Sequence, residues 1–138
     1  MAYRLSSLIL PACALAACAP ATPRYVMPLP PNSPVMVQAM DEAARQVRRC
    51  YRAPRVATLG RRISTQLRVR ITPDGAISGL PTVVAQSGVD STNQAYADRM
   101  AQAAIESVLR CAPLVLPAEA YRGMAITMDL TFSPTLSA

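Results

Sequence analysis

The chain contains no histidine, no tryptophan and no lysine, a single phenylalanine and five glycines. Without histidine there is no Ser–His or Cys–His nucleophile, no imidazole metal ligand and no imidazole general base. The eight acidic residues are scattered, and no spacing marks a carboxylate pair of the kind acid–base hydrolysis uses. Nor do five glycines include a glycine-rich phosphate loop. With so few aromatics, a core has to be built from Ile, Leu, Val, Met and Ala. These absences set catalysis, metal and cofactor aside and leave binding as the expectation.

All 14 basic residues are arginines, against 8 acids, for a formal charge of +6. Such an excess suits anionic partners, whether lipid headgroups, lipopolysaccharide or acidic protein surfaces. Nucleic acid would fit the charge equally, but the start of the chain argues against it.

Residues 1–17 have the form of a secretory leader: Arg4 charges the first stretch and Leu5 to Ala14 supplies the apolar one. About 13 apolar-leaning residues fall short of the ~20 that a membrane-crossing helix needs. The leader ends in Leu15-Ala16-Ala17-Cys18, which resembles the bacterial lipobox. Small residues before Cys18 fit a narrow peptidase cleft, the thiol then takes a diacylglycerol, and the freed amine can take a further chain. Two or more chains anchor stably where one is marginal. The alternative is simple cleavage near Ala16 or Ala19, which leaves a soluble periplasmic protein with a stray thiol. Cysteine arithmetic favours lipidation: Cys13 leaves with the leader and Cys18 is acylated, so Cys50 and Cys111 remain as a pair. An Asp after the anchor would resemble an inner-membrane retention signal; Ala19 stands there instead, which points to the outer membrane.

Residues 18–34 read as the lipidated tether, with six prolines and no apolar period. A polyproline-like spacer of this length reaches at most ~50 Å.

A folded domain is expected over residues 35–134. From Val35 to Cys50, apolar residues at Met36, Met40, Ala43, Val47 and Cys50 form one helical stripe, which Pro54 terminates. Ile63, Thr65, Leu67, Val69 and Ile71 alternate with polar residues, as a half-buried strand does. Thr72-Pro73-Asp74-Gly75 is a tight turn, and Ala76 to Ala85 returns as a second strand, weakened by Gly79 and Pro81 and so placed at a sheet edge. Ser91 or Thr92 can cap a second helix that runs to about Cys111 with Ala97, Met100, Ala104, Val108 and Cys111 on its stripe. After a Pro-bounded loop, Met124, Ile126, Met128, Leu130 and Phe132 alternate with Ala125, Thr127, Asp129, Thr131 and Ser133. The order helix–strand–strand–helix–strand predicts an α+β fold: a three-stranded antiparallel sheet with two helices packed on one face.

Cys50 and Cys111 each end a helix on its buried stripe, which in an oxidising compartment favours a disulfide. A redox or nucleophilic cysteine is the sharper alternative, without a CxxC or a histidine to support it.

The string Leu67-Arg-Val-Arg-Ile-Thr-Pro-Asp-Gly75, then Ala104 to Val108, Arg110-Cys111-Ala-Pro-Leu-Val-Leu-Pro117, Tyr121 and Leu130-Thr-Phe-Ser-Pro134 resembles the C-terminal domain of TolA, related to that of TonB. The likeness covers residues 36–134. It implies the topology just read and a protein-binding role in Tol–Pal or TonB systems, where the free edge of the last strand accepts a strand from a partner. Those proteins also carry an N-terminal transmembrane helix and a long spacer, and this chain shows neither.

The residues agree on binding. The last strand has one charge, Asp129, and no proline from Met124 to Ser133, so its edge is either covered or available to another chain. Its outward residues Ala125, Thr127, Asp129 and Thr131 are the candidate partner-binding positions. The bland reading has a loop or self-association covering that edge. A second functional reading, a passive envelope lipoprotein, uses the nine arginines between Arg45 and Arg70 to hold lipid or lipopolysaccharide.

Overall fold

The computed structural model describes residues 26–134. Ser33 opens α1 (Pro34–Cys50): its hydroxyl accepts from the Met36 amide at 3.3 Å, and Pro34 stands at the first helical position, where its missing N–H costs nothing. Arg48 and Arg49 fill the last turn, against the negative end of the helix dipole. Gln46 ties α1 to the distant loop before the last strand. Its side-chain oxygen accepts from Val115 N at 2.9 Å, and its amide donates to Val115 O at 2.6 Å.

β1 (Ser64–Ile71) alternates as expected, with Thr65, Leu67, Val69 and Ile71 fully buried. The turn that follows closes through Thr72 N donating to Ala76 O at 2.9 Å. Gly75 takes φ 84°, and a Cβ there would stand 2.1 Å from Leu114 O; the Leu114 amide in turn donates to Gly75 O at 2.8 Å. Only glycine allows that approach.

The return strand starts later than its sequence suggests. Expected from Ala76, it forms over Thr82–Ser87 (β2), preceded by an isolated bridge between Ile71 and Ile77. Gly79 takes φ 77° and Pro81 has no N–H to give, so the ladder lapses between them. β2 then pairs antiparallel with β1, with a register shift at Gln66/Leu67. β3 (Ile126–Phe132) pairs antiparallel along the other side of β1, in unbroken register from Thr65↔Phe132 to Ile71↔Ile126. The strand order is β2-β1-β3, so both outer strands are edges.

The second helix, α2 (Ala97–Cys111), begins after a short 3-10 turn at Gln94–Tyr96, not at Ser91 or Thr92. Buried Asn93 explains the delay. Its side chain accepts from Asp90 N at 2.8 Å and donates to Leu59 O at 3.1 Å and Gly88 O at 2.7 Å. An amide that satisfies three backbone groups fixes a loop that an earlier helix start would break. Thr92 is engaged as well, its amide donating to Asp90 Oδ1 at 2.8 Å.

A third, short helix, α3 (Ala118–Tyr121), occupies the Pro-bounded stretch read as loop and buries Ala120 and Tyr121. The apolar faces of α1, α2, β1 and β3 meet in one core, through Ala43, Val47, Leu67, Val69, Ala104, Val108 and Leu130. The fold is the expected α+β arrangement, with one sheet face under helices.

Candidate functional site

The last strand begins at Ile126 rather than Met124. Arg122 takes φ 46° after α3 and Met124 N bonds back to Tyr121 O at 2.8 Å, so the chain is still turning there and Met124 is exposed. Ala125 therefore sits just before the strand, while Thr127, Asp129 and Thr131 lie within it.

Backbone directions decide what β3 offers. Arg70 O accepts from Ser78 N at 2.8 Å and Thr72 N donates to Ala76 O, so the even residues of β1 turn their backbone groups toward β2. The odd residues Thr65, Leu67, Val69 and Ile71 consequently bond β3, opposite Phe132, Leu130, Met128 and Ile126. Thr127, Asp129 and Thr131 are left with N–H and C=O directed away from the sheet. Among the described residues no backbone group pairs with them there.

A groove runs beside this edge, with α1 as its other wall. At one end it lies between Met36, Tyr121 and residues 125–127, about 240 Å³ in volume. In the middle it passes Met36, Met40 and residues 127–129, about 380 Å³. At the far end it narrows between Ala44, Val47, Arg48, Tyr51 and residues 130–133. Along α1, Ala39 and Ala43 face the core, while Met36, Met40, Ala44 and Val47, with Tyr51 just past the helix end, pack on the same core and also border the groove. Two methionines there give an unbranched, adaptable wall.

The single charge of β3 is already engaged. Arg68 Nε and Nη2 donate to Asp129 Oδ1 and Oδ2, both at 2.9 Å, across the open face of the sheet. These hydrogen bonds hold the Asp129 carboxyl below the usual aspartate range. Asp129 therefore contributes its backbone to the edge and its carboxylate to Arg68. Tyr51 and Tyr121 stand at opposite ends of the groove, with buried hydroxyls that have no partner among the described residues. Burial pushes both phenols up.

The loop that could have covered the edge borders it instead. Pro28, Leu29 and Pro31 line the groove near residues 125–129, Leu29 packs on the core, and Arg122 Nη1 donates to Met27 O at 3.3 Å. No backbone bond joins this segment to β3 among the described residues.

Cys50 and Cys111 form a disulfide with Cα atoms 5.6 Å apart, which ties the last turn of α1 to that of α2. Cys18 lies outside the described residues. Sequence reasoning missed the groove along β3 and the place of Tyr51, which follows the end of α1 in extended backbone and sets its ring against Phe132.

The match to a known family runs over residues 33–133, from the cap of α1 to the end of β3. The chain belongs to the family described as uncharacterised conserved protein UCP034077. No curated protein and no solved structure matches it. The matched span takes in every helix and strand from α1 to β3 and leaves out residues 1–32, among them the groove-lining Pro28, Leu29 and Pro31.

Proposed function

We propose that this chain is a protein-binding module of the bacterial cell envelope, of the Tol–Pal or TonB kind, that takes an extended segment of a partner protein as a fourth strand along β3. The observation that carries this reading is the outward backbone of Thr127, Asp129 and Thr131 beside a groove walled by Met36, Met40 and Tyr51. Main-chain hydrogen bonds would give such a strand affinity, and the groove would receive its alternate side chains. The want of histidine supports binding rather than catalysis. Acylation of Cys18 and the proline-rich tether would hold the module at the periplasmic side of the outer membrane.

The test compares pull-downs from envelope extracts. Thr127→Pro removes one outward N–H and obstructs an incoming strand without touching the ladder to β1. A partner captured by the unaltered chain should be lost with Thr127→Pro and retained with Arg55→Glu/Arg99→Glu, and its capture should survive raised salt. Binding that persists in a folded Thr127→Pro variant, or that collapses with salt alone, overturns the reading. For the anchor, Cys18→Ala is expected to move the protein from the membrane fraction to the soluble periplasm. A variant that remains in the membrane with its leader uncut contradicts acylation.

A further inference from the structure

Beyond the strand edge, the molecule has a second surface whose chemistry is of one kind. After α1 the chain runs without helix or strand from Tyr51 to Ala57. One end of this segment is fixed by the Cys50–Cys111 disulfide and by Arg110 Nη1 donating to Cys50 O at 2.9 Å. The other is fixed by Val56, which packs with Tyr96 against Ile63, Ala97 and Met100. Gly60 closes over Val56 so tightly that a Cβ there would lie 2.8 Å from Val56 Cβ. Between these anchors Arg52 and Arg55 face one side of α2 across an open cleft of about 460 Å³, space for an anion of many atoms. From α2, Arg99 and Gln102 line the same cleft.

The charges there are unbalanced. Among the described residues Arg52, Arg55 and Arg99 make no hydrogen bond or ion pair, and all three are exposed. The cleft's one carboxylate, Glu106, is already taken: it accepts from Gln102 Nε2 at 3.0 Å and pairs with Arg110 at 3.7 Å. Three guanidinium groups around one cleft repel one another until an anion enters. Planar guanidinium groups match phosphate oxygens two at a time, which a lone point charge does not.

We propose that the cleft between the Arg52–Arg55 segment and α2 is a binding site for a phosphate-bearing anion. The phosphate can belong to a lipid headgroup or be free in solution. The site shares no residue with the β3 groove, so it stands or falls independently of strand addition.

The experiment uses the full chain in two charge-matched forms. Arg55→Gln/Arg99→Gln removes two arginines from the cleft, and Arg61→Gln/Arg70→Gln removes two from elsewhere. Circular dichroism and thermal unfolding first establish that both variants keep the fold. Binding is then measured to vesicles of phosphatidylglycerol with phosphatidylcholine, to pure phosphatidylcholine vesicles, and to inorganic pyrophosphate. The unaltered chain is expected to prefer the anionic vesicles, and the cleft variant to bind them about thirtyfold more weakly, the loss of two arginine contacts to an anionic surface. The control variant should stay within about threefold, as a general loss of charge. Cleft-dependent binding to vesicles alone assigns the phosphate to a headgroup, and the same loss with pyrophosphate shows that free phosphate suffices. Equal weakening of both variants, or no binding to either phosphate probe, overturns the proposal.

Discussion

Tyr51 shows how one side chain can serve packing at a cost in polarity. Its ring meets Phe132 with centroids 5.6 Å apart and planes tilted by 50°, closing the narrow end of the groove. Its hydroxyl, however, is buried with no hydrogen-bond partner among the described residues. Removing that oxygen keeps the ring contact and relieves an unsatisfied donor, so Tyr51→Phe should hold or raise stability by about 1 kcal/mol in thermal unfolding. A loss of that size would show that the hydroxyl has a partner. The other telling residue is Asp129. Arg68 lowers its carboxyl in the folded state, so the folded protein holds that proton less readily than the unfolded chain does. The stabilisation is then complete above the ordinary aspartate range and is lost as pH falls through the lower, folded value. Hydrogen bonds lower Glu42, Asp74 and Asp90 in the same direction. Stability is thus expected to be flat from neutral pH down to about 5 and to fall below about 4. An NMR titration of Asp129 with an ordinary midpoint would contradict this.

At the scale of elements, β3 differs from β1 in having one unpaired side. That difference can be measured with one proline in each strand. At Thr127 the N–H points away from the sheet, so Thr127→Pro should cost about 1 kcal/mol in urea unfolding, as proline does on an outer edge. At Val69 the N–H bonds β3, and the side chain is fully buried, so Val69→Pro should cost ~3 kcal/mol or more. Equal costs would mean that the outer side of β3 is not free. β2 is also an edge, but its position is protected differently. It is short, carries the register shift opposite Gln66/Leu67 and follows Pro81, and each of these features discourages an added strand. α1 gives β3 a groove along its free edge.

Over the whole molecule, the disulfide is a covalent cross-link between residues 61 positions apart, at the matching ends of two helices. In the chain-entropy account, closing a loop of that length stabilises by roughly 4 kcal/mol. Guanidinium unfolding with and without reductant should differ by about that amount, and peptide mass mapping without reduction should recover the Cys50 and Cys111 peptides linked. Two free thiols, with stability unchanged by reductant, would refute it. The disulfide also does local work: it anchors the Arg52–Arg55 segment beside α2, so reduction should loosen the arginine cleft before it disturbs the β3 edge.

Read alone, the sequence determined the order of the three strands and the two long helices, the α+β class, both inward strand faces and the cysteine pair, but not the short α3. All of these rest on short-range periodicity: steps of three and four for α1 and α2, steps of two for β1 and β3. It misplaced the beginnings of β2, α2 and β3, because local propensity does not see partners. Gly79 and Pro81 interrupt a ladder that exists only when β1 is alongside, and Asn93 holds a loop by bonding Leu59, 34 positions earlier. Met36, Met40, Ala43 and Val47, read as one stripe, do pack on one core. Only the tertiary structure shows that Met36, Met40 and Val47 border the edge of β3 as well. The open cleft had no signature in the chain at all, since Arg99 stands 44 positions beyond Arg55 and only the packing of α2 against the segment after Cys50 brings them to one surface.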